Sequence, residues 1–366
     1  MKILLARRDW QIAKVITCTA VISGFAVGCG PAADSGETGE TVDARPQEEA
    51  YVPPTFVPEP KELDEADIER MMDGLSNWGR WGPDDQLGAA NLITPEKRLQ
   101  ALRLATEGIT VSLEHPLLTD EADDVPSPFE RRMLGVPDPT VEPTFFSGVS
   151  DNYNISYHGY SHSHLDSLCH ILHNGQMYNG YSADTITEAG CSTSSIINLH
   201  GGIVTRGILI DIPRLKGVPY LEPGTPIYVE DLDAWEEMAG VTVQPGDAIF
   251  IRTGRWARRA ELGPWNVSQQ TAGLHASTMP WVKSRDVAFL GSDVAADVVP
   301  SLVEGVGLPV HLLTIVAMGV NLFDNQDLEA LAETAAELNR WEFTLVAAPL
   351  AVENGTGSPL NALAIF

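Results

Sequence analysis

The sequence predicts one large α/β domain built on a mixed sheet, and three observations carry that expectation. Continuously apolar runs of strand length, among them GILIDI at Gly207 to Ile212 and AIFIR at Ala248 to Arg252, have the character of strands buried on both faces. Amphipathic runs of helical period alternate with such strands without a fixed repeat, which favours sheets of more than one direction. Hydrophobic residues make up 44% of the 366 residues, enough for a substantial core and too many for global disorder.

Taken in order, the chain opens with Lys2, Arg7 and Arg8 ahead of an apolar stretch from Ile12 to Val27 that is too short to span a bilayer comfortably. Residues 1–28 are read as a signal peptide. AVGC at Ala26 to Cys29 resembles a bacterial lipoprotein box, with Cys29 as the acylated residue, so the expected location is exported and membrane-anchored through lipid alone. Residues 29–62, rich in Gly, Pro, Glu, Asp and Thr, are expected to form an acidic disordered tether. The folded domain is expected over 63–366.

Within it, Leu63 to Leu75 suits a short helix, and Thr94 followed by Pro95 is a good start for a helix running to Thr106. Strands are expected at Ile109 to Leu113, from Asn154 to His162, at Val287 to Leu290 and at Glu342 to Ala347. Helices are expected at Val229 to Met238, Thr278 to Ser284 and Glu329 to Leu338.

With 23 basic against 50 acidic residues the formal net charge is −27, which excludes attraction to nucleic acid or to anionic headgroups. Four cysteines are present; once Cys18 in the signal and Cys29 are set aside, Cys169 and Cys191 are read as separate buried thiols in preference to a disulfide.

The chemistry concentrates in YHGYSHSHLDSLCHILHNG from Tyr157, which holds five of the nine histidines. On an extended strand His158, Tyr160, His162, His164 and Asp166 share one face, because side chains alternate. Imidazole and carboxylate together suit a divalent metal such as zinc or manganese. The candidate ligands are His162, His164 and Asp166, joined by His170 if the chain turns after Asp166, with His158 and Tyr160 as possible members. A metal so held acidifies bound water and polarises a carbonyl, the combination that hydrolyses amides and esters.

Asp293 in FLGSD ends an expected buried strand, where it serves either a functional role or as a helix cap. His311 heads an apolar helix-like run to Met318 and is a candidate to reach the metal. Trp78, Trp81, Phe145, Phe146 and Tyr178 are candidates for an aromatic-binding pocket, with core packing as the alternative. The GTGSP segment at Gly355 to Pro359 either offers backbone N–H groups near the site or makes a tight turn, and the turn is the favoured reading.

HSHLDSLCH resembles the motif HxGTHxDxxxH of the cyclase family, which includes bacterial kynurenine formamidase and isatin hydrolase. NWGRWGPDDQLGAANLIT at Asn77, RGILIDI at Arg206, PGDAIFIRTG at Pro245, AFLGSD at Ala288 and RWEFTLVAAPLAVENGTGSPLNALA at Arg340 agree, so the resemblance covers about Leu75 to Phe366. It implies a swivelling β/β/α fold, assembly into homodimers or homotetramers, and one or two zinc or manganese ions. By position His164 and Asp166 match metal ligands, His170 the acid/base or second-metal histidine, and His311 the distal histidine. The motif's first histidine falls on Tyr160 and its glycine on His162, its proline is Leu168, and Asp324 stands near the distal glutamate. The expected activity is hydrolysis of a small amide, an aryl formamide or a lactam, with His170 moving the proton. The alternatives are a surface lipoprotein that binds a ligand or metal without turnover, and a dehydratase or cyclase acting on a polyketide-like substrate.

Overall fold

A computed structural model describes residues 51–366 apart from Pro143. The expected signal segment, Cys29 and the tether up to residue 50 lie outside the described residues. The tether's last part does not: residues 51–62 carry no helix or strand, but Phe56 packs on the core and Glu59 accepts hydrogen bonds of 2.9 and 2.8 Å from Arg70. The folded part thus starts upstream of residue 63.

Among the described residues nine strands make the main sheet: β1 (Thr110–Ser112), β2 (His164–Asp166), β3 (Ile203–Asp211), β4 (Ala248–Arg252), β5 (Phe289–Ser292), β6 (Asn321–Asp324), β7 (Glu342–Ala347), β8 (Gly357–Pro359) and β9 (Leu363–Ile365). Their spatial order is β1-β9-β7-β3-β4-β5-β6-β2-β8. The inner four, β3 to β6, are parallel, and every other pairing is antiparallel, so the mixed sheet expected from the sequence is present. The parallel strands are buried along nearly their whole length, which is why they read as unbroken apolar runs.

Helices α1 (Glu65–Gly74), α2 (Pro95–Leu102), α3 (Val229–Ala239), α4 (Arg255–Leu262), α5 (Met279–Ser284) and α6 (Glu329–Leu338) surround it. Helix α1 begins with a capping box, Asp64 and Asp67 each accepting from the other's backbone N–H at 3.0 and 3.2 Å, and buries Ile68, Met71 and Met72. Thr94 caps α2 through Lys97 N–H as its sequence promised, but the helix stops at Leu102, short of Thr106. The apolar run after Pro309 forms one α-turn through His311 and then a π-helix over Leu312–Met318.

Two expectations fail near the site. The strand expected from Asn154 to His162 is instead the end of an exposed hairpin, Glu130–Leu134 paired with Ser150–Asn154, followed by a loop that turns at Gly159, whose φ of 109° favours glycine. Strand pairing resumes only at His164. The GTGSP segment is not merely a turn, since Gly357–Pro359 pairs with β2. Gly357 is required by close approach: a Cβ there would sit 2.7 Å from the Leu165 carbonyl oxygen and 3.0 Å from His158 Cε1. A third correction concerns the cysteines, because Cys169 and Cys191 are joined in a disulfide with Cα atoms 6.4 Å apart.

Candidate metal centre

β6 ends on Asp324, at the carboxyl edge of the parallel strands where α/β sheets place functional groups. The short antiparallel β2 lies beside it, with His164 in register with Asp324 and Asp166 with Gly357. Two groups of donors therefore meet at one carboxylate. His164, Asp166 and Asp324 form a wholly buried group, and His158, Asp166 and His170 a second, each with its ligand atoms within 4.8 Å of one another.

Around Asp166, which is 1% exposed, His158 Nδ1 lies 3.0 Å and His164 Nε2 3.4 Å from Oδ1, and His170 Nε2 lies 3.8 Å from Oδ2. The His162 carbonyl accepts from His164 Nδ1 at 2.8 Å, leaving Nε2 to face the carboxylates. Thr356 Oγ1 meets His158 Nε2 at 2.8 Å and turns Nδ1 inward. His158 and His170 stack with centroids 3.9 Å apart and ring planes 4° from parallel. His311 stands between two carboxylates, its Nδ1 2.6 Å from Asp297 and its Nε2 3.2 Å from Asp324.

The electrostatics follow from that crowding. Burial alone would raise Asp166, yet His158 and His164 outweigh it and hold the carboxyl well below the usual range. Burial opposes the charged form of His311, but Asp324 and Asp297 win and hold it well above the usual imidazole range. His170 is pushed down, chiefly by burial, with His158 and His311 adding to the effect against Asp166.

The donor set fits a divalent ion on a further ground. His158 Nδ1, Asp166 Oδ1 and Asp324 Oδ1 are buried, and none has a hydrogen-bond partner among the described residues. An imidazole nitrogen 3.0 Å from a carboxylate oxygen without hydrogen-bond geometry is how two ligands of one ion lie. His/Asp sets of this kind suit zinc or manganese.

The other predicted residues divide. His162 does not join the cluster: the loop turns it aside, burial pushes its pKa down, and neither ring nitrogen has a partner among the described residues. Tyr160 gives its backbone carbonyl to Arg255, and burial together with Asp324 and Asp297 pushes its phenol up to about 12. Asp293 is a helix cap. It accepts from Thr253 N–H (2.9 Å), Thr253 Oγ1 (2.8 Å), Gly254 N–H (2.8 Å) and Arg255 N–H (3.2 Å) at the start of α4. The five aromatics are engaged elsewhere: Phe145 and Phe146 are exposed, Trp78 donates to the Val316 carbonyl, Tyr178 to Asp85, and Trp81 stacks with Arg80.

Sequence reasoning missed Asp297, Thr356 and the buried Arg255, which donates to Asn325 and to the Tyr160 carbonyl while Asn325 donates to the Gly159 carbonyl. These contacts join segments remote in sequence, and only the GTGSP run gave a hint of them. A cavity of about 130 Å³ opens beside the histidines, lined by His158, Tyr160, Ser127, Ser156, Asn266 and Ser268 among others. A larger cleft of about 460 Å³, between residues 54–59, α1 and α5, holds none of these groups.

The profile of one family, described as "Putative cyclase", matches residues 109–297. A crystal structure described as a novel cyclase superposes with a TM-score of 0.74 at 32% identity, over 81% of this chain and 99% of that one. The chain belongs to the cyclase family. An isatin hydrolase bound to the product analogue thioisatinate has the same fold, with a TM-score of 0.50 at 18% identity over 75% of this chain and 99% of that one. Isatin hydrolase A from Ralstonia solanacearum aligns at 21% identity and a TM-score of 0.49, over 70% of this chain and 91% of that one. No curated protein is significantly similar in sequence. The cyclase-family match reaches across the residues from β1 to Asp297, so it includes His158, His164, Asp166 and His170.

Proposed function

We propose that this cyclase-family protein is a metal-dependent hydrolase of a small amide, an aryl formamide or a lactam. The observation that carries the reading is the pair of donor groups sharing Asp166, with buried ligand atoms that lack other partners. The isatin hydrolase of the same fold is a precedent for hydrolysis on this scaffold.

His164, Asp166 and Asp324 would hold one ion, and His158, Asp166 and His170 a second. A divalent ion bound there supplies Lewis acidity, which polarises a carbonyl and acidifies water. The chain's own groups do the rest. With the ion at His164, Asp166 and Asp324 alone in place, His170, about a quarter exposed and depressed by burial, is neutral near pH 7 and has a free ring nitrogen that takes a proton and returns it to the departing amide nitrogen. With a second ion bound, that nitrogen would serve as its ligand instead. The Tyr160 phenol, whose pKa of about 12 keeps it protonated at neutral pH, is an O–H donor at the cavity wall. His158 takes the place of the histidine that the family motif has at Tyr160, and it does so because the turn at Gly159 brings it back over Asp166.

The test is a panel of N-formyl arylamines, lactams and small esters with purified protein. Turnover abolished by a chelator and restored by zinc or manganese is expected, with His164→Ala and His170→Ala each inactive. Turnover indifferent to chelation refutes the metal role, and metal binding without turnover of any amide or ester favours a binding lipoprotein.

A further inference from the structure

We propose that the Cys169–Cys191 disulfide positions His170, so that the His158, Asp166 and His170 group depends on the bridge while the His164, Asp166 and Asp324 group does not. The proposal rests on the metal-centre reading above.

The two groups are held by different means. His164 and Asp324 face each other across paired strands, and β8 pairs with the other side of β2. His170 has no strand beneath it. It sits in the turn after β2, where its N–H donates to the Ser167 carbonyl at 3.1 Å and the Ser167 N–H donates to the Thr356 carbonyl at 3.0 Å. One residue earlier, Cys169 is buried and bonded to Cys191, which is itself buried. The N–H of Cys191 donates to the Asn354 carbonyl at 2.9 Å. Asn354 opens the segment whose Thr356 orients His158 and whose Gly357 pairs with Asp166. The bridge therefore fastens the turn bearing His170 to the segment bearing the support of His158, closing a frame around the stacked rings. Leu168 is buried in the main core and Ile171 packs against it, while Cys169, Met177 and Cys191 form a small cluster of their own with Tyr181 and Ile186. Ser167 Oγ also donates to the Thr356 carbonyl at 2.8 Å; between these anchors and Ile171 the S–S bond is what holds Cys169, and with it the adjacent His170.

The experiment compares the full chain, its C169A/C191A variant, H170A and the triple combination, loaded with zinc alone and dialysed against a competing chelator. The wild type is expected to hold two equivalents. C169A/C191A is expected to hold one tightly, with the second at least tenfold weaker. Adding H170A to C169A/C191A is expected to cost nothing further at that second ion, whereas a merely structural bridge predicts additive losses. Reduction by a trialkylphosphine in water should reproduce the variant: the S–S bond takes two electrons and two protons to give two thiols, and the phosphine becomes its oxide. Two unchanged equivalents in C169A/C191A overturn the proposal, as does loss of both equivalents from a folded variant. Metal-free protein supplies a second readout, the ring-current shift of the His170 protons under His158. It should collapse in C169A/C191A while the His164 signals stay, and an unmoved shift also overturns the proposal. If the wild type binds no zinc, the metal-centre reading fails and this shift alone decides the positioning role.

Discussion

Asp166→Asn perturbs the arrangement at the single carboxylate that both donor groups share. The amide preserves volume and backbone pairing to Gly357 but removes the negative charge, which at 1% exposure bulk solvent screens little. Losing even an outer partner of a metal ligand typically costs about 10- to 100-fold in affinity. Loss of a directly bound carboxylate should exceed that, so a weakening beyond roughly 100-fold, or about 2.7 kcal/mol, is expected for both ions. Asp324→Asn touches one group only and should leave one equivalent, and His158→Ala should leave the complementary one. The assay is zinc stoichiometry by elemental analysis together with competitive titration, on variants whose circular dichroism matches the wild type. Two tight equivalents in Asp166→Asn, or none in a folded Asp324→Asn, would refute the shared-carboxylate arrangement.

Other consequences are equally open to measurement. Asp293→Ala orphans three buried N–H groups at the start of α4 and should cost roughly 3–6 kcal/mol in urea unfolding; a loss below about 1 kcal/mol would contradict its role as a cap. Gly357→Ala drives a methyl against Leu165 and His158, so a destabilisation of about 1–3 kcal/mol accompanied by weaker binding at the His158 group is expected. Lys283, beside the Asn77 side chain, is lowered to about 8 by burial and by Arg80. Between that value and the unfolded pKa near 10.4 the unfolded chain holds the proton that the folded chain has released, so stability contributed by this site rises with pH across the window. Lys283→Met should remove that rise, on the order of 1–2 kcal/mol after discounting for partial solvent contact, when urea melts at pH 7.5 and 10 are compared with wild type.

Much of the scaffold was legible because its signals are local. Strand Ala248–Arg252, helix Glu329–Leu338 and strand Glu342–Ala347 have the bounds that their apolar runs and helical period indicate. The site was legible in composition and less so in geometry. His164, Asp166 and His170 come together as their spacing suggested, but the argument that put His158, Tyr160 and His162 on the same strand face needed an extended chain. The turn at Gly159 breaks the two-residue alternation, bringing His158 in and His162 out. The support of Asp297 for His311 and of Thr356 for His158 crosses 14 and 198 residues, beyond any periodicity. The disulfide was equally hidden, because a pair of cysteines reads alike whether bonded or apart until the fold brings Cys169 and Cys191 together.

The central claim is that Asp166 and its neighbours capture divalent metal. Anomalous diffraction from crystals grown with zinc, recorded on both sides of its absorption edge, tests it most directly. The account predicts a strong peak about 2.0–2.2 Å from His164 Nε2 and from oxygens of Asp166 and Asp324. Zinc found only on exposed side chains, with no peak near Asp166, would contradict it.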